Sequence, residues 1–160
     1  GGYLSRMINE LLQAISTAVS DEFGQEYTVY TDMPEQEQAK PCFLIEHLTF
    51  SVVPYLGSRR TNVCAFDIQY FSKAGTQQDM CEVLIRLCDC LRMIRSAQDN
   101  RFLGSDFHTK KENGVLHCLI NYNFVTQDAA ADEHAMSDVK IEQGLENTDG
   151  SSENQKRNRQ

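Results

Sequence analysis

The run VLHCLINYNFV, residues 115–125, follows directly on Asn113-Gly114 and constrains the fold more than any other feature of the chain. Leu116, Cys118, Ile120, Tyr122 and Phe124 occupy every second position and alternate with His117, Asn121 and Asn123. A period of two puts one set on each face of a strand, so one face is apolar and the other is wet. Asn-Gly fills the two positive-φ positions of a tight turn at little steric cost, so residues from about 101 onward form a hairpin with this strand, turning at 111–114. Residues 63–70 repeat the pattern, with Cys64, Phe66, Ile68 and Tyr70 against Val63, Ala65, Asp67 and Gln69. Two such strands need an apolar layer to cover their shared face.

Helices supply that layer. Leu4, Met7, Ile8, Leu11, Leu12, Ile15, Val19 and Phe23 recur at the three-and-four spacing of an amphipathic helix, and Gly24 stands where such a helix stops. A second helix is expected over about 77–97, with Thr76 as N-cap and Asp79 in its first turn. It carries Met80, Val83, Leu84, Leu87, Leu91 and Ile94 on one stripe and Cys81, Ile85 and Cys88 on another. Two stripes imply two neighbours, the sheet and the first helix, with Cys81 and Cys88 in the core and Arg86, Arg92 and Arg95 toward solvent.

Residues 27–31 and 41–53 are β-prone, separated by a polar connection containing Pro34, and PYLGSRR turns the second of these into the strand at 63–70. The expected fold is therefore α+β, in the order α-β-β-β-α-β-β. It has a mainly antiparallel sheet of about five strands with two helices packed on one face. Residues 1–127 read as a single α+β domain. Residues 128–160 read as an acidic hydrophilic tail, largely disordered, with Met136, Val139, Ile141 and Leu145 as a small apolar island.

Charge and cysteine spacing narrow the chemistry. Residues 1–127 hold 15 acidic and 11 basic residues, and residues 128–160 hold 8 and 4, for a net charge of −8. No basic block is long enough to track a phosphate backbone, so direct nucleic-acid binding is not expected. No run approaches the ~18 apolar residues of a membrane span. On a helix Cys81 and Cys88 lie roughly 10 Å apart along the axis, and Cys88 and Cys90 point about 200° apart, so neither pair can share a zinc or a disulfide. Cys42, Cys64 and Cys118 could converge across the sheet, but Cys64 and Cys118 fall on the apolar register. All six cysteines are expected as free thiols, with no metal and no cofactor.

No glycine-rich phosphate loop, Gly-x-Ser-x-Gly elbow or His-Glu-x-x-His motif occurs, and no catalytic residue is assigned. Glu46 and His47 are adjacent on a strand and face opposite sides, as do His117 and Cys118. Asp67, Asp106 and His108 form the one polar set that could serve a small metal-dependent nuclease or other accessory enzyme. The long hairpin closed by PYLGSRR presents Tyr55, Leu56, Arg59 and Arg60, residue types that anchor protein interfaces, as candidate subunit or partner contacts.

The opening MINELLQAISTAVSDEFG, the segment YTDMPEQEQAKPCFLIEHL, the strand CAFDIQYF and the closing NGVLHCLINYNFV, in this order and spacing, resemble the tail terminator (tail completion) proteins of phages and prophages of Gram-positive bacteria. The similarity covers roughly residues 7–127. It implies a small structural α+β subunit that forms a ring, often of six, on the head-proximal end of the tail tube. That ring stops tube polymerisation and offers a surface to the head–tail connector. The implied partners are further copies of the chain, the tail tube protein and connector proteins; the implied locations are the host cytoplasm during assembly and the virion tail. The metal-dependent nuclease or accessory enzyme is the alternative.

Overall fold

The computed structural model describes residues 2–128 and the backbone of residues 140–142. Helix α1, Gly2–Phe23, buries Met7, Leu11, Ile15, Val19 and Phe23 of the stripe that the spacing predicts, together with Ala14, and half-buries Leu4, Ile8 and Leu12 beside them. It ends where Gly24 takes φ +79° and donates its N–H to the Ser20 carbonyl at 2.9 Å. Strands β1 (Thr28–Tyr30), β2 (Cys42–Pro54) and β3 (Arg59–Phe71) come next, then α2 (Gln77–Cys90). Strands β4 (Met93–Arg95), β5 (Arg101–Glu112), β6 (Val115–Gln127) and β7 (Lys140–Glu142) complete the described chain.

The strands lie in the order β1-β2-β3-β6-β5-β4, with β7 paired to the end of β6. The α+β class stands, but the sheet has more strands than the five expected and is mixed, because β1 runs parallel to β2. The other pairings are antiparallel. Of the hydrophilic segment 128–160, all but Asp128 and β7 lies outside the described residues, and with it Met136, Val139 and Leu145.

The second helix is shorter than its periodicity implies. It starts as expected, with the Asp79 N–H donating to Thr76 Oγ1 at 3.1 Å, but it stops at Cys90. Beyond it the chain turns, and Ile94 is buried from strand β4 rather than from a helix. Two interactions compete with further helical turns. Tyr122 Oη donates to the Leu91 carbonyl at 2.7 Å, and the Gly104 N–H donates to the Arg92 carbonyl at 2.8 Å. A three-residue spacing of Leu91 and Ile94 satisfies this turn and strand as well as it would a helix.

The second stripe of α2 is also not where it was expected. Met80, Val83 and Leu87 are its buried residues, whereas Cys81 and Ile85 are exposed and Cys88 is half-buried. Arg86, assigned to solvent by its charge, is what ties α2 to α1. Its guanidinium lies 4.2 Å from the centroid of the Phe23 ring and donates to Glu22 Oε2 at 3.0 Å and to the Glu22 carbonyl at 2.8 Å. A cation over an aromatic face with two charge-assisted hydrogen bonds is a sufficient helix–helix contact. The apolar stripe beside it is left uncovered.

Both helices lie on the face formed by Phe43 and Ile45 of β2 and the even-numbered residues of β3 and β6. Phe23, Tyr27, Phe43 and Tyr70 form an aromatic group at one end of it. The opposite face is less wet than alternation implies. Cys42 and Leu44 alternate with Phe43 and Ile45 and are buried as well, and so is Asp67.

Candidate interaction surfaces

The tip of the β2–β3 hairpin follows from its turn chemistry. The Tyr55 N–H donates to the Arg59 carbonyl at 2.9 Å, the Arg59 N–H donates to the Leu56 carbonyl at 3.0 Å, and Gly57 takes φ +61° between them. Residues 51–58 are all exposed, Tyr55 at 51% and Leu56 at 71%. The two arginines differ, Arg60 being exposed like the tip and Arg59 not. Arg59 is half-buried and sits in register with Gln127, and Arg60 Nη2 lies 2.6 Å from Asp128 Oδ2. Below the tip, buried Asn62 donates through Nδ2 to the Phe124 carbonyl at 3.2 Å and to Thr126 Oγ1 at 3.0 Å. The hairpin is thus locked to the end of β6 and presents an apolar end, Tyr55 and Leu56, with Arg60 engaged by the chain itself.

Asp67, Asp106 and His108 do not assemble. Asp67 on β3 and His108 on β5 flank Leu119 of β6, two strand spacings or roughly 10 Å apart in the backbone. Asp106 sits at a bulge with φ +59°, and its carbonyl faces His108 Nδ1 at 3.0 Å. Among the described residues no three His, Cys, Asp or Glu side chains are placed to hold a metal ion. The six cysteines are free. Cys42, Cys64 and Cys118 are buried, and burial pushes the Cys64, Cys90 and Cys118 thiols up to about 12.

Asp67 has a different set of partners. Glu46 stands opposite Asp67 across β2–β3, and Gln69 stands opposite His117 across β3–β6. His117 Nδ1 is 2.8 Å from Asp67 Oδ2, and the Gln69 amide donates to the same oxygen at 3.3 Å and to Glu46 Oε1. Asp67 Oδ1 is buried with no hydrogen-bond partner among the described residues. The network ties three strands together on the face away from the helices. Comparing Glu46 with His47, and His117 with Cys118, could not reveal it. The signal was the shared alternation of residues 46, 67, 69 and 117.

A groove follows α1 beside the 95–100 turn, with Tyr3, Arg6, Glu10 and Asn100 in its lining. Glu10 is already occupied, accepting from Ser96 Oγ at 2.6 Å and Asn100 Nδ2 at 2.7 Å. No helix among the described residues is long and apolar enough to cross a membrane.

Exposed large hydrophobic side chains are concentrated elsewhere. Leu48, Val52, Val53, Tyr55 and Leu56, five of the eight such residues among those described, belong to β2 and its turn. Their concentration along one strand and its tip sets this surface apart from scattered surface apolarity. A family model described as phage tail terminator protein matches residues 10–134. No curated protein matches the chain.

Proposed function

The chain belongs to the phage tail terminator family, and from that premise we propose that it is the subunit of a ring that caps the head-proximal end of a tail tube and joins it to the head connector. Membership makes it a structural protein of the phage tail; the ring, the end it occupies and its partners are the reading offered here. The observation that carries this reading is the apolar strip along β2 and the hairpin tip. An assembly subunit needs apolar surface that its own fold leaves uncovered, and this strip lies outside the layer that the helices cover. Residues 1–127 form the body of the ring, and residues 128–160 are appended to it. The ring consists of copies of this chain, often six in the family; its other partners are the tail tube protein and connector proteins, and its place is the virion tail. The nuclease alternative has no observation in its favour, because Asp67 is engaged by His117 and Gln69, away from Asp106 and His108.

The test is polymerisation of the cognate tail tube protein with and without this chain. Substoichiometric addition should stop growth and narrow the tube-length distribution. Unchanged growth at a molar excess would refute the capping role.

A further inference from the structure

We infer that the β2–β3 hairpin of one copy reaches along the ring and seats Leu56 in an apolar groove on α2 of the next copy. The inference rests on the ring reading and names its subunit contact. The groove runs between two ridges of side chains four residues apart, Cys81 with Ile85 and Glu82 with Arg86, and α2 alone lines it. Arg86 is held toward α1 by Glu22 and the Phe23 ring. The other ridge is left open, with Cys81 exposed and Ile85 at 59% exposure.

The hairpin cannot fill this groove in its own chain. Helix α2 runs along the strands. The Tyr70 hydroxyl donates to Asp79 in its first turn, and at its far end the Leu91 carbonyl lies against Gly104 and accepts from Tyr122 Oη. Tyr122, Gly104, Cys64 and Phe50 stand at one level of the sheet. From that level β2 and β3 continue for four more residue pairs, to Pro54 and Arg60, whereas the groove lies back down α2. Leu56 and the groove of one chain are therefore roughly 20–30 Å apart. A tip that projects beyond its own α2 and a groove that its own chain leaves open are the two unlike surfaces that a head-to-tail ring requires. Rotation about the ring axis brings tip to groove only if that axis crosses the strands, so the hairpin lies along the circumference.

Polarity and charge agree with the pairing. The tip is apolar at Tyr55 and Leu56, and the Asn62 hydrogen bonds to β6 below it hold it in place, so little ordering is needed on contact. Residues 51–60 carry Arg59 and Arg60 and no acidic residue, whereas α2 carries Asp79, Glu82 and Asp89 against Arg86. Exposed Glu82 borders the groove itself. Arg60 stands in the last strand pair before the turn, and its pair with Asp128 is at the surface. Two-fold contacts, tip with tip or groove with groove, would set like charges together. The second copy is the occupant because one chain supplies both halves of the match.

Native Cys81 in the groove makes the contact testable by oxidation. Leu56→Cys places a thiol at the tip, an exposed position, and circular dichroism should show the variant folded. Rings of this variant, formed in solution or on tube ends, are oxidised and run on a denaturing, non-reducing gel. The expected result is a ladder of cross-linked copies ending at one closed species, with the bridge mapped by mass spectrometry to the new thiol and Cys81. Adding Cys81→Ser should remove the ladder and leave the rings. Ile85→Glu, also at an exposed position, should keep the wild-type melt and raise the concentration needed for assembly by about tenfold or more. If wild type forms no ring either in solution or on tube ends, the ring reading falls, and this contact with it. If rings form but the new thiol bridges only to another tip or to the tube protein, or to nothing, the contact falls while the ring reading stands. Assembly of Ile85→Glu at the wild-type concentration has the same consequence.

Discussion

Gly104→Ala should destabilise this protein through a contact rather than through backbone strain. A Cβ at Gly104 would lie 2.5 Å from Ile120 Cδ1 and 2.7 Å from the Leu91 carbonyl oxygen. The Ile120 methyl can yield by changing rotamer; the carbonyl cannot, because it ends α2 and accepts from Tyr122 Oη at 2.7 Å. Strand β5 must therefore move off the helix end, straining the bond from the Gly104 N–H to the Arg92 carbonyl. Overpacking of this kind costs about 1–3 kcal/mol, and loss of one hydrogen bond at a buried carbonyl adds about 1 kcal/mol. Taken together, about 2–4 kcal/mol should lower Tm by roughly 6–15 °C for a fold of this size. Differential scanning calorimetry and urea titration read this directly. Gly114→Ala is the control. Nothing lies within 4 Å of a Cβ there, and only φ +79° penalises alanine, at about 1 kcal/mol. Adding Tyr122→Phe to Gly104→Ala should cost less than the sum of the two single changes, since both act on Leu91. A Gly104→Ala protein melting within about 2 °C of wild type, or no lower than Gly114→Ala, would refute the reasoning.

Thiol labelling of the native protein should modify Cys81 first, because it alone among the cysteines is exposed, and should reach Cys42, Cys64 and Cys118 only on unfolding; mass mapping of a brief pulse checks this. Alkaline pH should destabilise the fold. Burial raises the Cys64, Cys90 and Cys118 thiols from 9.0 to about 12, so the native state holds protons that the unfolded chain releases. This contribution is complete below pH 9 and is lost as pH rises toward 12. Tyr70 and Tyr122, also raised by burial, add to the loss above pH 10; melts from pH 7 to 11 should show a plateau and then a fall. Replacing Tyr55 and Leu56 with serine should change stability by less than about 0.5 kcal/mol, since both are exposed, yet should abolish tube capping, which paired melting and tube-length measurements would show.

What could be read from the sequence divides by range. The α1 stripe, the Thr76 cap, the Asn113-Gly114 turn and the alternation of β3 and β6 are properties of single segments, and each appears where its residues place it. Helix α2 ends earlier than its periodicity implies because the distinction between a helix and a turn with a short strand rests on Tyr122 and Gly104, which are remote in sequence. An apolar stripe such as Cys81, Ile85 and Cys88 has the same spacing whether a neighbour covers it or not. Arg86 had already made the helix contact from the adjoining side. The turn at PYLGSRR was legible, but the engagement of Arg60 depends on where the chain returns with Asp128. The same holds for Asp67, whose partner is set by a cross-strand register over about fifty residues.

The central claim, that this chain closes the head-proximal end of a tail tube as a ring, is tested most directly by electron microscopy of cognate tail tubes incubated with the labelled protein. The account predicts a single closed ring of this chain at one end of each tube, on the same end in every tube, with no further tube subunits beyond it. Labelled protein spread along the tube wall, or tubes with neither end decorated at saturating protein, would contradict it.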